Sequence, residues 1–185
     1  MSIAAAFAAD KEQPFHPPAA AGMAHHQANG SVTIGAEPYV SGDKVKAAFG
    51  KNEPYQFGML PVLVVIQNDG ADSIKLDKLK ASYVSPSGLR VDATAAKDVR
   101  YAHAGQRPTM IPTPVGTIKK MRGNPLDNPA IEVHALAAPI VLAGKSASGF
   151  LYFQTGFQPG STLYLTGMTE AGSGKELLYF EIPLQ

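Results

Sequence analysis

The sequence contains no cysteine and no tryptophan among its 185 residues. The absence of cysteine excludes disulfides, thiolate metal sites, iron–sulfur clusters and thiol nucleophiles. Charged residues are also scarce, at 17% against roughly 25% in an average soluble protein. The 16 basic and 15 acidic side chains leave a net charge of +1. Domains that bind nucleic acid carry a concentrated excess of basic residues. The net charge of this chain is too small to attract nucleic acid.

Long hydrophobic runs are missing as well. None approaches the roughly 18–20 apolar residues of a membrane-spanning helix, so we expect no membrane span. The apolar content of 45% is that of an ordinary globular domain. A chain of this length buries one good core, and the composition therefore predicts a single domain.

The N-terminal residues indicate export. Residues 2–9, SIAAAFAA, form a small-residue apolar run just before charged residues. They are typical of the end of a secretory signal, with cleavage after Ala8 or Ala9; the alternative is an ordinary alanine-rich chain end. Residues 10–30 are rich in Pro, Ala and Gly without a period, which predicts a flexible arm. We therefore divide the chain into a signal remnant and arm at 1–30 and a domain at 31–185, secreted or periplasmic.

Residues 58–88 carry the strongest structural signal. Two apolar runs, 60–66 and 74–83, flank Asp69-Gly70, which is typical of a β-hairpin turn. The first run is apolar on both faces, so we expect a central strand covered on both sides. In the second run the inward alternation shifts phase at Asp77-Lys78. This shift predicts a β-bulge, in which one strand contains one extra residue.

The remaining elements are short. Helices are predicted at 43–49, with a cap at 41–43 and a stop at Gly50, and at 95–102. Residues 85–88, SPSG, fit a type I turn. Further strands are predicted at 31–40, 89–93, 131–142, 149–157, 162–167 and 177–184. Seven or eight short strands with one or two short helices predict an all-β fold, an immunoglobulin-like β-sandwich.

Two segments carry a family resemblance. The strand PVLVVIQN at 61–68, with the turn and strand that follow it, and the late strand KSASGFLYF at 145–153 resemble bacterial extracytoplasmic immunoglobulin-like domains of the immunoprotective-antigen type. The resemblance covers about residues 58–84 and 140–184. It implies a sandwich fold and no catalytic residues. The missing cysteine pair and tryptophan distinguish the chain from antibody-type domains.

A proline-rich loop at 105–128 is the best candidate for an interaction surface. Loops of this length are uncommon in compact domains unless they are functional or disordered. From Arg100 to Asp127 the chain has basic residues and no acidic one between them, which favours an anionic partner surface. The alternative is a set of solvated lysines. The candidate partner-binding residues are Arg107, Ile118, Lys119, Lys120, Met121 and Arg122.

Two alternatives to a binding module stay open. His16, Met23, His25 and His26 in the arm carry imidazole and thioether groups that bind copper, although their spacing matches no ordered metal site. Glu132 and His134 are two residues apart on a predicted strand and would share a face, as an acid–base pair of a hydrolase needs. His103 is a second candidate base. We expect a protein without enzymatic activity or cofactor, whose partner is another envelope or extracellular protein.

Overall fold

The structure is a computed structural model that describes residues 15–102, 124–177 and 179–185. This part of the chain contains eleven strands and three α-helices. The strands are β1 (His26–Asn29), β2 (Val32–Pro38), β3 (Leu60–Asn68), β4 (Ile74–Lys75), β5 (Lys80–Val84), β6 (Arg90–Asp92), β7 (Ile140–Val141), β8 (Lys145–Phe153), β9 (Ser161–Thr166), β10 (Thr169–Glu170) and β11 (Phe180–Leu184). The helices are α1 (Asp43–Phe49), α2 (Ala96–Val99) and α3 (Pro129–Val133), and short 3₁₀ turns cover Ala20–Gly22 and Pro54–Phe57.

The strands form three sheets with antiparallel pairing. The first sheet has the order β1-β2-β3-β8 and the second the order β11-β9-β5-β6. A small third sheet has the order β10-β4-β7. The first two sheets share one buried apolar cluster, so the predicted all-β sandwich is confirmed. Eleven strands are described instead of seven or eight, because β4, β7 and β10 contain only two residues each.

Strand β3 is the central strand of the first sheet, as predicted. It pairs with β2 on one side and with β8 on the other. Val62, Val64 and Ile66 face one apolar cluster, while Leu63 and Val65 face another. All five side chains are at most 2% exposed, which explains why the run is apolar at consecutive positions.

The predicted hairpin at Asp69-Gly70 is wrong. Strand β3 pairs with neither β4 nor β5, which belong to the third and second sheets. The side chain of buried Asn68 controls this exit: its Nδ2 donates to the carbonyl of Asp72 at 2.8 Å, and its Oδ1 accepts from Gly70 N at 3.0 Å. The chain therefore turns away toward another sheet instead of folding back beside β3.

The predicted β-bulge at Asp77-Lys78 is also wrong. The chain makes a turn there, closed by Leu79 N donating to the carbonyl of Leu76 at 2.9 Å. Before the turn it belongs to the third sheet and after it to the second. The shift in alternation thus marks a change of sheet, a cause that produces the same sequence pattern as an extra residue in one strand.

Two cores lie on opposite faces of the first sheet. The inter-sheet core is formed by the first and second sheets and includes the fully buried Val64, Tyr83 and Leu163. The helix-side core lies between the other face of the first sheet and the helices. Its buried residues are Ala20, Met23, Tyr39, Val45, Ala48, Phe49, Met59, Leu63, Val65, Val99, Leu126, Ile131, Phe150 and Tyr152.

Residues 15–30 are part of the fold, which corrects the prediction of a flexible arm for these residues. Strand β1 pairs with β2 over its whole length. Ala20 and Met23 are buried in the helix-side core. Gly35 makes this packing possible, because a Cβ there would lie 2.5 Å from the sulfur of Met23. Residues 1–14 of the predicted arm lie outside the described residues.

The strand predicted at 131–142 is wrong over most of its length. Residues 129–133 form helix α3, and only Ile140–Val141 are strand. The helix begins at Asn128, whose Oδ1 accepts from Ala130 N at 3.1 Å, and Pro129 occupies its first turn. An Asn cap followed by proline is a helix-start pattern, which outweighs the alternation of apolar residues here.

Other local predictions are confirmed in full or in part. Helix α1 ends at Gly50, which has a φ of 67°. Its N-cap residue is Gly42, so the cap predicted at 41–43 lacks a side-chain hydrogen bond. The turn at 85–88 is closed by Gly88 N donating to the carbonyl of Ser85 at 2.9 Å. The predicted helix at 95–102 is shorter, since α2 covers Ala96–Val99.

Candidate interaction surface

The predicted partner-binding residues Arg107, Ile118, Lys119, Lys120, Met121 and Arg122 lie outside the described residues, as does His103. The residues on both sides of that segment are described and lie close together. Asn124 Nδ2 donates to the carbonyl of Arg100 at 2.5 Å, and Gln154 Nε2 donates to the carbonyl of Ala102 at 3.0 Å. The described residues on the two sides of the segment, 102 and 124, therefore both lie beside helices α2 and α3.

A pocket of about 320 Å³ lies at this place. Helices α2 and α3 and the residues that lead into α3 form its walls. Its lining residues are Ala96, Arg100, Leu126, Asp127, Asn128, Pro129, Ile131, Glu132 and Val133. Leu126 and Ile131 belong to the helix-side core, so the floor of the pocket is fixed by the packing beneath it.

Asn128 positions the pocket wall. Besides capping α3, its Nδ2 donates to the carbonyls of Phe49 at 2.9 Å and Asn52 at 3.3 Å. One side chain thus connects the end of α1 to the start of α3. Within α3, the carbonyl of Ile131 accepts a hydrogen bond from Tyr152 Oη at 2.8 Å. Burial raises the pKa of Tyr152, so this hydroxyl stays protonated and keeps donating.

Arg100 is the main charged group of the pocket. Its guanidinium donates to Glu132 through Nη2, and its Nη1 lies 3.4 Å from Asp127 Oδ1. The hydrogen bond with Glu132 raises the pKa of Arg100 further. The two carboxylates come from the residues before and within α3, so the ion pairs hold α3 against α2.

Exposed apolar side chains flank the pocket. Tyr101 is 64% exposed, with the Arg100 guanidinium 6.0 Å from its ring centre, and Val133 is 75% exposed. The packing of the described residues does not explain why this apolar side chain of Val133 is exposed. Large exposed apolar groups beside a pocket are a common feature of protein interaction sites.

The acid–base pair predicted from Glu132 and His134 does not form. The two residues lie on a helix and the residue after it, so their side chains diverge. Glu132 contacts Arg100, whereas the ring of His134 packs against Phe15 with ring centres 5.3 Å apart. Burial lowers the pKa of His134. The ring of His134 therefore contributes to the packing of the fold.

The four residues of the predicted copper site do not form one exposed cluster. Met23 is 6% exposed and packs in the helix-side core. His26 Nδ1 lies 2.9 Å from the carbonyl oxygen of Met23, so that ring is held by the backbone. Within residues 15–102, 124–177 and 179–185, no group of three or more His, Asp or Glu side chains has the arrangement of a metal site.

The pocket wall does not follow from the predicted elements. The prediction of loop and strand for residues 128–133 does not place Glu132 and Val133 beside Arg100. The Asn128-Pro129 pair is the signal that would have identified the helix start. Within the described part of the chain, no helix has the length and apolar character needed to cross a membrane.

Comparison with known proteins gives weak structural similarity alone. No family model matches the sequence, and no curated protein matches it. Among solved structures, the yjhA protein from Bacillus subtilis is 12% identical with a TM-score of 0.48, covering 88% of this chain and 98% of that one. A secreted protein from Mycobacterium tuberculosis, MPT63, is 11% identical with a TM-score of 0.33, covering 89% and 95%. Similarities at this level carry no argument about activity.

Proposed function

We propose that the protein is a non-catalytic extracytoplasmic binding or assembly module, of the bacterial immunoglobulin-like kind that its sequence resembles. Its partner is another envelope or extracellular protein. The single observation that supports this function best is the pocket beside α2 and α3, with exposed Tyr101 and Val133 next to it. The described residues that flank the segment with Arg107, Lys119, Lys120 and Arg122 in the sequence lie beside this pocket.

The chemistry of this surface fits protein recognition. Tyrosine and arginine are enriched at interfaces, and a pocket gives a partner side chain a place to be desolvated. The basic residues of the 105–128 loop add a charge that accelerates encounter with an acidic partner surface. The described titratable groups at the pocket are engaged in ion pairs, so none is free to act as a base.

The partner surface is tested by charge removal. A variant with Lys119, Lys120 and Arg122 replaced by Ser should keep the thermal midpoint and lose capture of a partner from envelope extracts, most strongly at low salt. The matched control replaces the exposed Lys51, Lys78 and Lys145 by Ser. Equal capture by both variants across the salt range would eliminate the loop as the interaction surface.

Photocrosslinking tests the same surface without relying on charge. A photoreactive residue at Ile118 or Val133 should crosslink to a partner in living cells, whereas the same residue at Leu89, which is 55% exposed elsewhere, should not. Crosslinks from Leu89 alone would move the interaction surface to the second sheet.

Export is part of the proposal and has its own test. The apolar run at 2–9 predicts a mature protein that begins at Ala9 or Asp10. Mass spectrometry of the protein purified from the extracytoplasmic fraction would show that start. A protein found in the cytoplasm with residues 1–9 intact would contradict export and leave the binding surface to be tested in that compartment.

A further inference from the structure

One stretch of the chain exposes more apolar surface than the packing of the fold explains. Residues 133–144, VHALAAPIVLAG, contain no Asp, Glu, Lys or Arg. Six large apolar side chains are exposed in the described part of the chain, and three of them lie in this stretch: Val133, Ile140 and Leu142. Ala137 between them is exposed as well. We call residues 133–144 the apolar strip.

The backbone of the apolar strip is fixed although these side chains are uncovered. Phe150 N donates to the carbonyl of His134 at 2.8 Å, and Leu136 N donates to the carbonyl of Phe150 at 3.1 Å. The strip therefore runs along β8. Further on, Leu76 N donates to the carbonyl of Pro139 at 2.8 Å, and β7 pairs with β4. A fixed apolar surface that the fold leaves uncovered indicates contact with another segment or molecule.

The N-terminal segment joins the fold beside this strip. The ring of Phe15 lies 5.3 Å from the ring of His134 and 5.3 Å from that of Phe150. His134 is itself part of the apolar strip, and Val133 precedes it directly. Phe15 is thus the described residue from which the preceding chain can reach the strip.

The chain that precedes Phe15 carries an apolar run of its own. Residues 2–9, SIAAAFAA, have no charge, and Ile3 and Phe7 are their large side chains. The maximum span of a chain grows with the number of residues, at about 3.3–3.6 Å each. Phe7 is eight residues before Phe15, and Leu142 is eight residues after His134. The apolar run is therefore long enough to cover the strip from one end to the other.

We propose that residues 2–9 pack on the apolar strip of the same chain while they remain attached to it. Ile3 and Phe7 supply the large apolar side chains, and the strip presents apolar surface without a charge that would need to be desolvated. The connecting residues 10–14, DKEQP, are mostly polar and can stay in water. A short tether also gives the run an effective concentration in the range of about millimolar, which favours it over a free partner.

This packing has a consequence for the interaction surface. Val133 belongs to the apolar strip and also lines the pocket beside α2 and α3, so the docked run covers part of that surface. Cleavage after Ala8 or Ala9 would remove Ile3 and Phe7 and uncover it. This consequence rests on the proposed function. The packing itself does not, and it can be measured on the purified full chain without a partner.

Disulfide trapping tests the packing, because the sequence has no cysteine and an introduced pair is unique. Ala6→Cys/Ala137→Cys places one thiol in the run and one on the strip. Ala6→Cys/Ser41→Cys is the matched control. Ser41 is exposed and lies two residues after Tyr39, whose ring is 6.2 Å from that of Phe15, so the tether reaches both sites. We expect the first pair to form an intrachain disulfide at least about tenfold faster at micromolar protein.

A second measurement does not depend on how two thiols are aligned. A single Ala137→Cys should react with a maleimide at least about threefold more slowly in the parent chain than in an Ile3→Ser/Phe7→Ser background. The run has lost its large apolar side chains in that background. The same two substitutions should lower the disulfide rate of the Ala6→Cys/Ala137→Cys pair to that of the control pair. Circular dichroism verifies that each variant folds.

Two results would overturn the proposal. One is an equal disulfide rate for the Ala137 and Ser41 pairs, together with a maleimide reaction that Ile3→Ser/Phe7→Ser leaves unchanged. The other is a disulfide that joins two chains at micromolar protein, visible as a dimer on a non-reducing gel, since a second copy would then cover the strip. Neither readout involves partner capture or export, so failure of the proposed function would leave both unchanged.

Discussion

The two cores on either side of the first sheet are covered by different kinds of secondary structure. The inter-sheet core lies between two sheets whose strands are joined by continuous antiparallel pairing. The helix-side core is covered by helices of four to seven residues and by the N-terminal segment. Isolated helices shorter than about 12–15 residues are marginal in water, so these helices depend on packing and caps.

Aromatic contacts hold the helix-side core together. Phe150 on β8 packs against Phe49 and Tyr39 with ring centres 4.8 and 4.9 Å apart, and against Phe15 at 5.3 Å. One strand residue thus contacts α1 and the N-terminal segment at once. Because short helices cover one face of the first sheet and a whole second sheet covers the other, we predict that the sandwich is the more stable unit and that the helical layer with the pocket opens more easily. Binding regions are commonly drawn from such less stable parts.

The largest expected effect is in the inter-sheet core. Val64→Asp places a carboxylate at a fully buried position on the central strand, with no partner to compensate its charge. We expect a loss of at least about 4 kcal/mol in the free energy of unfolding, measured by urea titration. Val133→Asp, at a position 75% exposed, is the control and should unfold normally. A stable Val64→Asp protein would contradict the assigned register of β3.

The next effect separates two glycines of similar sequence context. A Cβ at Gly149 would lie 2.5 Å from the Cα of Leu136, whereas one at Gly156 would meet nothing within 4 Å. Gly149→Ala should therefore cost about 1–3 kcal/mol, as overpacking does, while Gly156→Ala should be nearly neutral. Thermal unfolding of both variants measures the difference. Equal midpoints would show that the chain at Leu136 can move away from β8.

A smaller effect is expected at the helix cap. Asn128→Ala removes the acceptor for Ala130 N and the donors to Phe49 and Asn52, and should cost about 0.5–2 kcal/mol. Asn128→Asp keeps the acceptor and loses only the donors, so it should fall between the wild type and Asn128→Ala. If Asn128→Asp were the less stable of the two, repulsion between its carboxylate and the carbonyls of Phe49 and Asn52 would outweigh the retained cap acceptor.

The smallest effect is a pH dependence that arises from His134. Burial lowers its pKa in the folded state below the ordinary histidine value of 6.5, so the unfolded chain binds a proton more readily. Stability contributed by neutral His134 is present above pH 6.5 and is lost as the pH falls from there through the folded pKa. His134→Gln should flatten the curve of unfolding free energy between pH 7 and pH 5 relative to the wild type. Superimposable slopes would assign the acid loss to other groups.

Much of the sandwich could be predicted because its signals are local. The apolar run of β3, the turn at 85–88 and the strands β9 and β11 follow from alternation and turn residues alone. Strand β8 begins and ends four residues earlier than the strand predicted at 149–157. The partner of each strand could not be read in the same way. The exit after Asn68 depends on a side chain that binds backbone carbonyls of the 69–72 loop and of Val141 and Leu142, contacts that connect distant parts of the chain.

The candidate site was predicted less well for a related reason. The basic residues of the 105–128 loop were visible as composition, but the pocket needs α2, α3 and the floor residues Leu126 and Ile131 to meet in space. The packing of Met23 on Gly35 could not be predicted either. A glycine in a strand indicates that another group approaches the backbone closely, but the sequence does not identify that group.

Native-state hydrogen exchange compares the stability of the two cores at single residues. We expect amides of residues 62–66 in β3 to exchange only through global unfolding, and those of α2 and α3 to exchange through a smaller opening with little dependence on denaturant. Asn128→Ala should speed exchange in α3 and leave the β3 amides at the new global limit. Amides of α3 that were as strongly protected as those of β3, with the same denaturant dependence, would show instead that the two cores form one cooperative unit.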